Sequence, residues 1–126
     1  MTPAARSLQV FAVYLVLLAG VLLLAPNALL QPFGLPATFE VWIRVVGMLL
    51  AFLAVYYWIA AVTDDLPIIR ATVLCRLTVP VFFVIFVAAG WSGWPLVIFG
   101  VIDAVFACWT WWALGQGVGR RRETAR

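Results

Sequence analysis

A chain of 126 residues that is 67% hydrophobic and 10% charged has too little polar surface to coat a water-soluble globule, in which about a quarter of residues are charged. The charges, eight basic and five acidic with a net of +3, lie mostly outside four long apolar runs, and the short basic tail is no footprint for nucleic acid. Composition therefore points to an integral membrane protein.

The first run, Leu8 to Ala25, carries no charge and ends at Pro26. A bilayer core of roughly 30 Å needs about 20 helical residues, so the run is long enough to span. A secretory signal is the alternative, since Arg6 precedes it, but the apolar part is longer than the usual signal core and Pro26 occupies the place of a cleavage motif. The following segment, residues 26–40, holds Pro26, Pro32 and Pro36, which interrupt any long helix; a short interfacial piece is expected there.

Further spans are predicted at 41–62, 68–89 and 95–114. Because lipid offers no hydrogen bonds, runs of this length satisfy their backbones as helices, and the fold class is all-α, a membrane four-helix bundle forming one domain. Thr38 or Glu40 suits the cap of the second span and Asp64 or Asp65 that of the third, with Pro67 in its first turn. Pro95 fits the first position of the fourth, and Gly90 and Gly115 suit the stops of the third and fourth.

Residues 116–126 form a basic tail with Arg120, Arg121, Arg122 and Arg126, and Arg6 stands before the first span, so both termini are expected in the cytoplasm. Trp42, Trp91 and Trp94 then fall at outer ends. Tyr56, Tyr57, Trp58, Trp109, Trp111 and Trp112 fall toward inner ends, as in interfacial aromatic belts. A cage for a cationic ligand would need these rings to converge.

Asp103 stands inside the fourth run, roughly 12 Å past Pro95 along a helix. An ionised carboxylate near mid-membrane costs at least about 2.5 kcal/mol, so it must face the interior, be protonated or pair with a cation. Arg44 and Arg76 are the cations within the spans. Side chains lean toward a helix N-terminus, so Asp103 and Arg44 lean outward together while Arg76 leans inward, which favours the Asp103–Arg44 pair. Glu40, four residues before Arg44, is a second partner for it. Gly100, Asp103, Ala107 and Thr110 share one side of the fourth helix, and Arg44, Gly47, Ala51 and Ala54 one side of the second; these small-residue stripes are expected to meet. Pro80 cannot donate to the carbonyl of Arg76, so a kink and a polar pocket with Thr72 are expected there, against the simpler reading that Arg76 snorkels to headgroups.

The candidate binding residues are thus Asp103, Arg44, Glu40, Arg76 and Thr110. No metal site or cofactor is expected: the chain has no His, two Cys without a C-x-x-C pair, and no phosphate-binding, nucleophile-elbow or dinucleotide motif. Cys75 and Cys108 lie at similar predicted depths and read as small apolar residues.

The Pro-rich "APNALLQPFGLP", the second-span "RVVGMLLAFLAVYYWIA", the "ATVLCRLTVP" entry to the third span and "FGVIDAVFACWTWWAL" together resemble small four-span bacterial membrane proteins of the DoxX-like kind. That resemblance implies a four-helix bundle in the bacterial cytoplasmic (inner) membrane, with Arg44, Arg76 and Asp103 as the matching polar positions and no catalytic assignment. Three functions follow: a noncatalytic protein that binds a lipid or hydrophobic molecule or serves a larger membrane complex; a dimeric proton-coupled transporter or channel; or an intramembrane acid–base enzyme acting on a lipid or isoprenoid.

Overall fold

A computed structural model describes residues 1–123, with side chains as far as residue 116. All regular structure among these residues is helical, and four of the helices are long and apolar enough to cross a membrane.

Helix α1 runs from Pro3 to Leu24, with Pro in its first turn and Thr2 as its cap; the Thr2 hydroxyl accepts from the amide of Ala5 at 3.2 Å. It starts five residues before the apolar run because that cap precedes the run. A short helix α2, Pro26–Leu30, and a 3-10 turn, Gln31–Phe33, form the expected Pro-rich connection. Helix α3 spans Trp42–Val62 without a side-chain cap. Neither Thr38 nor Glu40 caps it. The backbone of Thr38 is instead held by Asn27, whose side-chain oxygen accepts from Thr38 N at 2.8 Å and whose amide donates to Thr38 O at 3.0 Å.

Helix α4, Leu66–Ala88, is capped by Asp65, which accepts from Ile68 N at 3.1 Å, and it continues through Pro80. Gly90 follows with φ of 75°, a left-handed conformation that ends the helix at little cost to a residue without Cβ. Helix α5 runs from Leu96 to Glu123. Pro95 stands just ahead of it, its carbonyl accepting from Ile98 N at 3.1 Å, and Gly115 does not stop it. The side chains of Arg120, Arg121 and Arg122, and Arg126 altogether, lie outside the described residues.

The charge-free first helix is the hub. Its buried residues Ala4, Leu8, Phe11, Leu15, Ala19 and Leu22 recur at three- and four-residue spacing and form one seam. α1 packs extensively on α3 and on α5, and α5 packs on α4, whereas α3 and α4, neighbours in sequence, barely touch. This overturns the expected meeting of the second- and fourth-span stripes. A Cβ on Gly47 would lie 3.0 Å from Leu22 Cβ and 3.1 Å from Ala19 O, so that stripe faces α1. A Cβ on Gly100 would lie 2.8 Å from Pro80 Cα, so this part of the other stripe faces α4. Small residues mark where backbones approach, but not which backbone.

Phe11 centres an aromatic cluster, with ring centroids 5.2 Å from Phe106, 5.6 Å from Tyr14 and 5.9 Å from Tyr57. Tyr57 is therefore a core residue rather than part of a belt. The seven tryptophans remain outside: Trp42, Trp58, Trp91, Trp94, Trp109, Trp111 and Trp112 are all exposed. With Val, Leu, Ile and Phe side chains exposed along every long helix, the bundle presents an apolar perimeter of the kind a lipid environment accepts.

Candidate functional site

Arg76 is the polar centre of the bundle. It stands ten residues into α4, roughly 15 Å along the axis, and is 2% exposed. Leaning toward the start of its own helix, the guanidinium donates through Nε to the Thr72 carbonyl at 3.2 Å. Its Nη2 donates to Thr110 Oγ1 at 2.9 Å and reaches Thr72 Oγ1 at 3.4 Å. Its Cζ lies 4.6 Å from the centroid of the Phe11 ring, a cation–π arrangement supplied by α1. Three helices thus hold one cation, and snorkelling to headgroups is replaced by inward burial.

Thr110 joins them. Its Oγ1 lies 2.9 Å from each of Phe106 O, Ser7 Oγ and Arg76 Nη2. Its own proton goes to the carbonyl and a lone pair accepts from Arg76, while the single proton of Ser7 Oγ is shared between Thr110 and the Ala4 carbonyl, which lies at 2.7 Å. Ser7 and Thr110 are fully buried. Ser7 is the member that sequence reasoning missed. Standing before the first apolar run, it shares a face of α1 with Phe11 and Tyr14 at helical spacing, and that is the signal that could have found it.

Asp103 is half-buried and forms no ion pair within 4 Å among the described residues. The expected Asp103–Arg44 pair is not formed. Arg44 lies on α3, which does not pack against α5, and its Nη1 donates to the Leu23 carbonyl at the end of α1. Glu40 and Arg44 line a small cavity of about 250 Å³ beside Pro26 and Thr38, without an ion pair between them. Nor does Arg76 bridge to Asp103. Close approach of Gly100 to Pro80 sets α5 antiparallel beside α4, so Asp103 and Arg76 start from similar levels and lean in opposite directions.

Two cavities meet at Asp103. One, of about 230 Å³, lies under the α2 connection and is lined by Tyr14, Leu30, Leu50, Phe99 and Asp103. The larger, of about 610 Å³, fills the space left where α3 and α4 fail to pack. Its walls are Leu50, Leu53 and Tyr57 of α3 and a line from Ile68 to Phe86 along α4, with Arg76 and Asp103 set into them. Its size is within the 300–1,000 Å³ usual for small-molecule sites, as is an apolar lining with few polar groups. Of the predicted site residues, the structure brings Arg76, Thr110 and Asp103 around this groove or directly behind it. Arg44 and Glu40 lie apart.

The guanidinium has one unmet need. Nη1 of Arg76 is buried and has no hydrogen-bond partner among the described residues. No group of three or more His, Cys, Asp or Glu suited to a metal occurs among the described residues; Cys75, which lines the groove, and Cys108 are unpaired and exposed. No family model, curated protein or solved structure matches the chain.

Proposed function

We propose that this is a noncatalytic multi-pass protein of the bacterial inner membrane, of the DoxX-like kind and with cytoplasmic termini, that takes a hydrophobic molecule from the bilayer into the groove between α3 and α4. The observation that carries this reading is the sparse α3–α4 contact, which leaves an apolar space of about 610 Å³ with a buried guanidinium in its wall, one nitrogen of which has no partner among the described residues. A helix pair that served only to hold the bundle would close that gap, because van der Waals contact is what drives helix association in lipid. A polar cluster at its wall distinguishes the space from a packing defect.

Gentle extraction into nanodiscs followed by native mass spectrometry tests it. A hydrophobic molecule is expected to stay on the chain in stoichiometric amount and to be lost in Ala71→Trp, which plugs the groove from an exposed position on α4. A chain that emerges bare, or that retains the same mass in the variant, defeats the reading. Retained proteins would instead favour an accessory role in a larger complex.

A second reading rests on Asp103 bordering both cavities. A carboxyl placed between two spaces is where a proton-coupled transporter, working as a dimer, would hold its proton. Proton flux in proteoliposomes that Asp103→Asn abolishes while the chain still folds would favour it. An acid–base enzyme would share the cavity, and chemical turnover of the retained molecule separates that possibility.

A further inference from the structure

Resting on the groove reading above, we infer that the occupant is a long-chain monocarboxylate, a fatty acid in chemical class, whose carboxylate sits on Nη1 of Arg76. The guanidinium keeps its positive charge and is 2% exposed, yet no carboxylate lies within 4 Å of it among the described residues. A buried charge of this kind is stable only when paired and hydrogen-bonded. The chain supplies acceptors for Nε and Nη2 and leaves Nη1, itself buried, without one, on a side chain that lines the groove.

The number of free donors selects the head. With Nε and Nη2 engaged, a fork-to-fork grip on two oxygens is closed, and one nitrogen with two N–H groups remains. Tyr57 lines the opposite wall, and in this arrangement its hydroxyl supplies the third donor. Three donors and one positive charge match a carboxylate, with one negative charge on two oxygens. A phosphate has more oxygens to satisfy and would carry a glycerol or sugar into walls that are otherwise apolar. A neutral alcohol would leave the charge unmatched.

Placement of the tail follows from α4. Beyond Arg76 the groove continues past Val79, Phe82, Phe83 and Phe86. From residue 76 to residue 86 is roughly 15 Å of helix, enough for a substantial part of an extended acyl chain. Asp103, on the same wall but leaning away from Arg76, is a like charge to the head and weakens binding without preventing it.

The full chain in nanodiscs of neutral lipid is titrated with palmitate and with hexadecanol, and Ala71→Trp is used to subtract simple partition into the bilayer. Palmitate is expected to bind about tenfold or more tightly than hexadecanol, the scale of one charge-assisted hydrogen bond. Arg76→Gln should bring palmitate down to the alcohol, Arg76→Lys should keep most of the preference, and Asp103→Asn should tighten palmitate but not hexadecanol. Equal binding of the two, both lost in Ala71→Trp, would overturn the carboxylate while leaving the groove; no specific binding of either would remove the groove as well. If Arg76→Gln fails to fold, the acid-to-alcohol ratio in the unaltered chain and its response to Asp103→Asn still decide.

Discussion

Thr110 Oγ1 accepts from Arg76 Nη2 at 2.9 Å, joining α5 to α4 through a hydroxyl that Ser7 of α1 also reaches. Thr110→Val preserves shape but removes an acceptor of Arg76 Nη2, while Ser7 keeps the Ala4 carbonyl at 2.7 Å. Leaving buried donors unmet costs about 1–3 kcal/mol. A lowered unfolding midpoint in detergent is therefore expected for Thr110→Val, and a much smaller loss for Thr110→Ser, which keeps the hydroxyl. Equal stability of the two would mean that the cluster does not hold the helices together.

Glycine positions separate close approach from open surface. At Gly100 a Cβ would stand 2.8 Å from Pro80 Cα, a backbone atom that cannot swing aside, whereas at Gly20 nothing lies within 4 Å. Gly100→Ala should push α5 from α4 and cost about 1–3 kcal/mol, the usual range for overpacking. Gly20→Ala should be neutral or stabilise by up to about 1 kcal/mol through helix propensity. Parallel thermal melts of the two variants give the comparison, and a Gly100→Ala bundle as stable as the parent would contradict the α4–α5 seam.

The four spans were legible because length and apolarity are enough to specify a helix that must satisfy its own backbone in lipid. Which helix meets which was not. Residues on all faces of such helices are apolar, so the amphipathic stripe that orients a helix in a water-soluble protein is weak here. The stripe through Gly47 was visible, but its partner was Leu22 and Ala19 of a helix that drew no notice for want of charge. Directional reasoning about Arg76 held, since it leans toward the start of α4 and reaches Thr72. The same reasoning failed for Arg44, because it presumed that α3 and α5 were neighbours.

That failure gives a quantitative expectation. Arg44 donates to Leu23 O and forms no ion pair with Asp103, so the two charges share no contact. Arg44→Gln and Asp103→Asn, alone and together, should change unfolding free energy additively, within about 0.5 kcal/mol. A coupling well beyond that value would restore the ion pair and displace Asp103 from the wall of the groove.

At the other end of the bundle, Asp64 adopts φ of 53° in the turn between α3 and α4, a conformation that disfavours most side chains but suits Asp and Asn. Its carboxylate accepts from Thr2 N at 2.9 Å and from Thr2 Oγ1 at 2.6 Å. The same Thr2 oxygen accepts from Ala5 N as the cap of α1, so one hydroxyl both caps the hub helix and ties it to the turn. Asp64→Ala loses both bonds and must hold a left-handed backbone without a polar side chain. Asp64→Asn keeps one acceptor oxygen and tolerates the conformation, and Asp64→Gly relieves the backbone but still cuts the tie. The expected order of stability is Asp, Asn, then Gly, with Ala lowest by about 1–2 kcal/mol below the parent. Amide exchange should report the cause, rising in the first turn of α1 for the Ala and Gly variants while α5 stays protected. Unchanged exchange at residues 5 to 8 would show that Thr2 caps α1 without help from the turn.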